Sequence, residues 1–259
     1  MHKKKQSHYP IFIAILVLSV AGTALAASPD EIQVYNDAIN KQGESSLDIH
    51  TNYVISGAKT AAWPGDTPSD HSFRVTPEFA YGLTENWEFG AYLPFLMESN
   101  GTKHIEGAKL RLKYLSAPKD SSFYWGLNGE LGRVSFRSAE QNWNVELRPI
   151  LGYRAEKWHF TVNPILGWAL SGTQSRVPGF SPAFRVSYVL KEDLSVSLEH
   201  YADLGNLNNI LPYSQQTHNT YAAIDTVVAG HNINFGVGKG WNANSDKWTV
   251  KAIINVPFK

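Results

Sequence analysis

From Leu47 to Phe258 apolar and polar residues take turns along the chain, in bursts of about ten residues. In the last burst Trp248, Val250, Ala252, Ile254, Val256 and Phe258 alternate with Thr249, Lys251, Ile253, Asn255 and Pro257. Successive side chains of a strand point to opposite faces, so each burst has one oily face and one mostly polar face. The alternation predicts twelve strands, near 46–57, 71–82, 86–97, 105–115, 121–136, 142–154, 157–170, 180–190, 193–203, 219–228, 231–240 and 246–258. The nearest approach to a helical period is Glu31 to Ile39, which we read as a short lead-in.

The connections sort by parity. Short ones fall at 83–85, 116–120, 155–156, 191–192 and 229–230. Longer ones fall at about 58–70, 98–104, 137–141, 171–179, 204–218 and 241–245. An even number of strands with tight turns at one end and long loops at the other is the pattern of an outer-membrane barrel with both termini inside. Aromatic residues agree with it. Tyr81, Trp87, Tyr114, Phe123, Tyr153, Trp158 and Tyr188 stand beside the short turns on the apolar face, and Phe95, Trp143, Trp168 and Trp248 near the long loops. Amphipathic rings gather at the two membrane interfaces in this way. The expected fold is therefore all-β: a twelve-stranded antiparallel transmembrane β-barrel of the outer-membrane type over residues 46–259.

The head of the chain supplies a route to that membrane. Lys3, Lys4 and Lys5 precede the apolar stretch Ile11 to Val20, and Ala24-Leu25-Ala26 offers a small-x-small cleavage pattern. Residues 1–26 read as a signal peptide and 27–45 as a periplasmic N-terminal segment. The chain has no cysteine, so there is neither a lipoprotein anchor nor a disulfide framework. Beyond the leader, twenty basic residues meet twenty-three acidic ones, a net charge of −3. That excludes a basic nucleic-acid footprint. The partners expected are outer-membrane lipid, a small-molecule solute and, during biogenesis, the barrel-assembly machinery.

The polar face would line the lumen. By parity it carries Asp48, Arg74, Glu78, Glu88, Lys109, Arg111, Lys113, Glu130, Glu146, Arg148, Arg154, Arg185, Glu199, Asp225 and Lys251, seven acids facing eight bases. Charges facing lipid are costly at mid-depth, which fits their confinement to this face. Such a lining can surround a narrow aqueous passage, or its ions can pair across a packed interior. A twelve-stranded barrel lies between the filled eight-strand type and the open sixteen-strand porins.

Enzymatic chemistry has thinner support. A lipid hydrolase on a barrel needs a hydroxyl nucleophile beside a histidine base on the lipid-facing surface. His200 is placed there, but its same-face neighbour is Ala202 and its own strand offers no hydroxyl partner. Asp66, Asp70 and His71 share the first long loop without a metal-ligand spacing. His50 and His159 read as inward polar residues. No catalytic, metal or cofactor set is expected.

The phrases EIQVY (31–35), PEFAYGLTENWEFGAYLPF (77–95), ELRPILG (146–152), NPILG (163–167), YADLG (201–205) and FGVGKGW (235–241) resemble proteobacterial outer-membrane β-barrel proteins similar to the family of the MetA pathway of phenol degradation. The resemblance covers most of the chain beyond the leader and implies a barrel that takes up small molecules, aromatic or hydrophobic ones among them. It brings no catalytic residues with it. One departure is the C-terminus, where Lys259 follows the expected aromatic, Phe258. The expected function is a channel or transporter for passive passage of small solutes. The alternatives are a non-conducting structural or ligand-binding barrel, presenting loops 58–70 and 204–218, and a lipid-modifying enzyme.

Overall fold

Twelve long antiparallel strands close on themselves. The structure is a computed structural model that describes residues 30–118, 120–172 and 177–258. The expected signal peptide, 1–26, lies outside the described residues, as does part of the loop expected at 171–179. The strands are β1 (Ser45–Ser56), β2 (Phe73–Gly82), β3 (Trp87–Tyr92), β4 (Gly107–Ser116), β5 (Phe123–Val134), β6 (Trp143–Ala155), β7 (Trp158–Ala169), β8 (Gly179–Lys191), β9 (Leu194–Asp203), β10 (Thr217–Val228), β11 (His231–Gly240) and β12 (Trp248–Phe258). Each pairs with its neighbours in the chain, and β1 meets β12 from Ser45–Phe258 to Ser56–Trp248, so no edge is left open to lipid.

The third strand is interrupted. Alternation predicts one strand over 86–97, but Pro94 has no N–H to continue the ladder. Beyond it, Phe95–Met97 pairs with the upper end of β2 and folds into a hairpin with Lys103–Ile105. Gly107 then restarts the barrel wall at φ +143°, where a Cβ would lie 2.1 Å from the Arg133 carbonyl oxygen. Only glycine fits there.

The two faces are the inverse of a water-soluble fold. Leu110, Leu112, Leu127, Leu151, Phe184, Leu198 and Phe235 are exposed on the outside, while Asn128, Thr76, Asn163 and Glu78 are buried within. Aromatic residues cluster near the short turns: the Tyr114 ring lies 5.1 Å from Trp87 and 5.3 Å from Trp125, and Trp158 lies 4.8 Å from Tyr188. Two cationic side chains break the expected parity. Arg133 and Lys239 are exposed on the outer face, both at the long-loop ends of their strands, where a charge reaches the interface cheaply. Lys239 lies over the Trp241 ring at 5.0 Å and the Trp248 ring at 5.8 Å.

The loop at 204–218 stays on the rim. Gly205–Asn206 pairs with Asn209–Ile210 in a small hairpin against β8, followed by a 3-10 turn at Tyr213–Gln215. What enters the barrel is the N-terminal segment. Residues 30–40, read from sequence as part of a periplasmic lead-in, run without helix or strand through the interior, with Asp30, Glu31, Val34 and Tyr35 buried. Eleven residues with no internal ladder need partners from the wall, and the polar inner face supplies them.

Candidate functional site

Tyr35 is the centre of the interior. Its N–H donates to Asn163 Oδ1 at 2.7 Å, its carbonyl accepts from Asn163 Nδ2 at 2.9 Å, and its hydroxyl meets that of Tyr92 at 2.5 Å. Leu115, Tyr124 and Ile150 pack around its ring, and the Arg148 guanidinium lies over it at 4.4 Å. Val34, one residue earlier, packs against Ile165, on the strand of Asn163, and Ala183, on the strand beside it. An extended backbone points successive side chains different ways, so Tyr35 and Val34 engage different strands of the wall.

Charge holds the rest of it. Lys109 Nζ lies 2.9 Å from Asp30, Arg148 Nη1 3.4 Å from Glu31 and Arg154 Nε 2.7 Å from Asp37. Lys251 donates to the Ile32 carbonyl at 2.9 Å, Arg148 to that of Gln33 at 3.3 Å and Lys113 to that of Ala38 at 3.0 Å. Glu88 accepts from the Asn40 N–H at 2.7 Å.

The strand residues singled out by parity also pair with one another. Arg111 bridges Glu78 at 2.5 Å and Glu88 at 2.7 Å, and Lys113 also reaches Glu88, at 2.7 Å. Glu130 faces Lys109 at 3.4 Å and Glu146 faces Arg148 at 2.8 Å, while Arg74 faces Glu106, an acid between strands that parity did not single out, at 3.3 Å. Arg185 pairs with Asp225 and Lys251 with Glu199. These charges are thus brought together in pairs and short chains, most of them deeply buried. Sequence reasoning missed the three acids of the N-terminal segment, Asp30, Glu31 and Asp37. Its one signal was eight strand cations against seven strand acids, which leaves a base to be matched from elsewhere.

Two cavities flank the segment. One, of about 520 Å³, lies toward the short turns and is lined by Gln33, Tyr35, Asn36, Asn40, Asp48, Glu78, Arg185 and Asn255. The other, of about 400 Å³, lies toward the long loops and is lined by Glu31, Ile32, Val54, Trp63, Lys109, Tyr201, Asp203 and Tyr221. Residues 31–35 form the wall between them.

Among the described residues one trio has metal-ligating atoms close enough to share an ion: Asp48, His50 and Glu78, within 4.8 Å of one another. Arg111 and His50 Nε2 already hold Glu78, and Asn255 donates to Asp48 at 2.6 Å, which leaves His50 Nδ1 as the buried ligand atom of the trio without a hydrogen-bond partner among the described residues. The loop acids are separate. Asp70 accepts from the Gly57 N–H at 2.9 Å and faces His71 at 2.9 Å, whereas Asp66 accepts from the Ala62 N–H at 2.7 Å. The Gly57 N–H, with His71 beside it, holds the Asp70 carboxyl below its ordinary value, while burial pushes Asp66 up.

His200 does have a hydroxyl beside it, from the next strand. Register places Thr220 opposite, with Oγ1 2.9 Å from His200 Nδ1. The row continues from His200 Nε2 to His218 Nδ1 at 3.2 Å and ends on the Gln216 amide at 2.7 Å. Trp241 Nε1 donates to the same threonine oxygen at 2.8 Å. An amide at the end orients the imidazoles without the charge a carboxylate would lend to a base.

No known protein family matches the chain, and no curated protein does. Solved structures do. The COG4313 outer membrane channel from Pseudomonas putida F1 superposes with a TM-score of 0.62 at 14% identity, over 88% of this chain and 100% of that one. The KdgM porin superposes with a TM-score of 0.55 at 9% identity, over 83% of this chain and 99% of that one. The chain has the fold of an outer-membrane β-barrel.

Proposed function

We propose that this protein is an outer-membrane channel for small solutes whose passage is closed by its own N-terminal segment. The observation that carries the reading is the pair of cavities, one toward each end of the barrel, separated by residues 31–35. Because that segment is tied to the wall by side chains and belongs to no strand, it can leave without breaking a ladder hydrogen bond. The charges it leaves behind would then line an aqueous path, with Lys109, Arg111 and Lys113 as its positive field and Glu78, Glu88 and Glu130 as its negative one. Arg74, Glu146, Arg148, Arg154, Arg185 and Glu199 complete the lining in this reading. The long loops face outward and the short turns the periplasm. The resemblance to barrels of the phenol-degradation family supports small organic solutes as cargo.

Planar-bilayer recording tests this. A variant lacking residues 30–40 should conduct steadily where the intact chain is mostly closed. A shortened barrel that inserts and passes neither ions nor liposome-entrapped solutes would leave a non-conducting structural barrel in its place.

A further inference from the structure

The cavity toward the long loops is short of positive charge. Lys109 is shared by Asp30 at 2.9 Å and Glu130 at 3.4 Å, and Arg148 by Glu146 at 2.8 Å and Glu31 at 3.4 Å. Arg74 is taken by Glu106. Asp203 lines the same cavity, 8% exposed, and among the described residues no cation lies within salt-bridge reach of it; its carboxylate accepts from the Gly205 N–H at 3.1 Å. Glu31 Oε2, also buried in this wall, has no hydrogen-bond partner among the described residues. A buried carboxylate with no cation, as at Asp203, and one that shares its cation with a second acid, as at Glu31, both favour a further cation beside them.

The remainder of the wall is aromatic and apolar. Tyr201 and Tyr221 meet edge to face, with centroids 5.6 Å apart and planes at 90°, near Val54 and Ala202. Lys251 Nζ already lies over these rings, 5.7 Å from the Tyr201 centroid and 5.5 Å from that of Tyr221, so a ligand ammonium is left to the carboxylates, and the free ring edges and apolar wall attract a hydrocarbon body. The volume, about 400 Å³, is far larger than the roughly 30 Å³ share of one water and falls in the range of small-molecule pockets.

We propose that this cavity binds a small organic cation, a protonated amine carrying an aromatic or branched apolar body. The proposal rests on the channel reading, for which the cavity is the outer vestibule and this ligand the class of solute admitted. An organic anion would add like charge to a wall already acidic, and a neutral alcohol would leave the carboxylates uncompensated.

Calorimetric titration of the detergent-solubilised full chain with phenethylammonium, 2-phenylethanol and 3-phenylpropionate tests it. Phenethylammonium should bind, and the other two should not. Asp203→Asn and Glu31→Gln should each weaken binding about tenfold, the scale of one charge-assisted contact. Heat-modifiable migration on gels shows whether each variant is folded. Should Asp203→Asn misassemble, Glu31→Gln carries the test, because Glu31 lies outside every strand. Equal binding of the three probes, indifference to Glu31→Gln, or displacement of the amine by an equal concentration of potassium chloride would overturn the assignment. The titration involves no flux, so it is separable from the channel reading. Amine binding by the full chain, with no conductance from the chain lacking residues 30–40, supports the site and sinks the channel. Conductance without amine preference does the reverse.

Discussion

Asn163 holds Tyr35 as a neighbouring strand would: its side-chain amide accepts from the Tyr35 N–H at 2.7 Å and donates to the Tyr35 carbonyl at 2.9 Å. One buried side chain thereby satisfies both backbone groups of the residue at the centre of the lumen. Asparagine carries an acceptor and two donors, and no aliphatic residue of its size can replace that pair.

Asn163→Leu should therefore loosen the segment without unfolding the barrel. It leaves two buried backbone groups unpaired, at about 1–3 kcal/mol each, and the surrounding ion pairs must then hold the segment alone. Bilayer recordings should show more frequent openings than in the parent chain, and a cysteine at Tyr35 should react faster with a water-soluble maleimide. Unchanged gating and reactivity would mean that the ion pairs dominate.

The Glu78–Arg111–Glu88 chain belongs to the wall, and breaking it has a different signature. Arg111→Met strands two buried carboxylates, with Lys113 and His50 as their remaining partners. The loss should be about 3 kcal/mol or more in reversible urea unfolding from liposomes. The double replacement of Glu78 by Gln with Arg111 by Met should recover part of it.

Gly152 admits the Tyr124 ring. A Cβ there would lie 1.8 Å from Tyr124 Cζ, so Gly152→Ala must displace a side chain whose hydroxyl is bonded to His159 and Thr161, both at 2.8 Å. Overpacking of this kind costs about 1–3 kcal/mol. Adding Tyr124→Leu should restore stability in the same urea assay, whereas Tyr124→Leu alone should be destabilising.

On the outer face depth decides. Leu127, 42% exposed in the middle of β5, should cost about 2–4 kcal/mol when changed to Arg. Lys239→Leu, at the long-loop end, should change stability little. Equal penalties at the two positions would argue against a membrane midplane at Leu127.

Acid should release the first long loop. The Asp70 carboxyl titrates below its ordinary value, chiefly because the Gly57 N–H bonds its ionised form. A depressed carboxyl contributes stability above its unfolded value, about pH 4, and loses it as pH falls through the folded one. Exchange of the Gly57 amide, corrected for its intrinsic rate, should accelerate only below about pH 4. In Asp70→Asn it should be fast and nearly independent of that titration.

The barrel was legible because lipid on one side and a polar interior on the other write a period of two into every strand. Loop parity at turns such as 229–230, and the rings of Trp87 and Trp158, then supplied the even count and the interfaces. Where the local signal failed, the cause was local backbone chemistry: Pro94 ended a strand that alternation alone would have continued, and Gly107 moved the start of the next. The Thr220 hydroxyl beside His200 was hidden because register pairs residues twenty apart in the chain.

By itself, then, the sequence determined the fold class and the strand count, since both follow from residue-by-residue periodicity against two solvents. Only the tertiary structure decided what fills the interior. The segment from Asp30 to Asn40 has no period of its own, and its place depends on Lys109, Arg148, Asn163 and Lys251 converging from strands far apart in the chain. Such a convergence exists only once the sheet has closed.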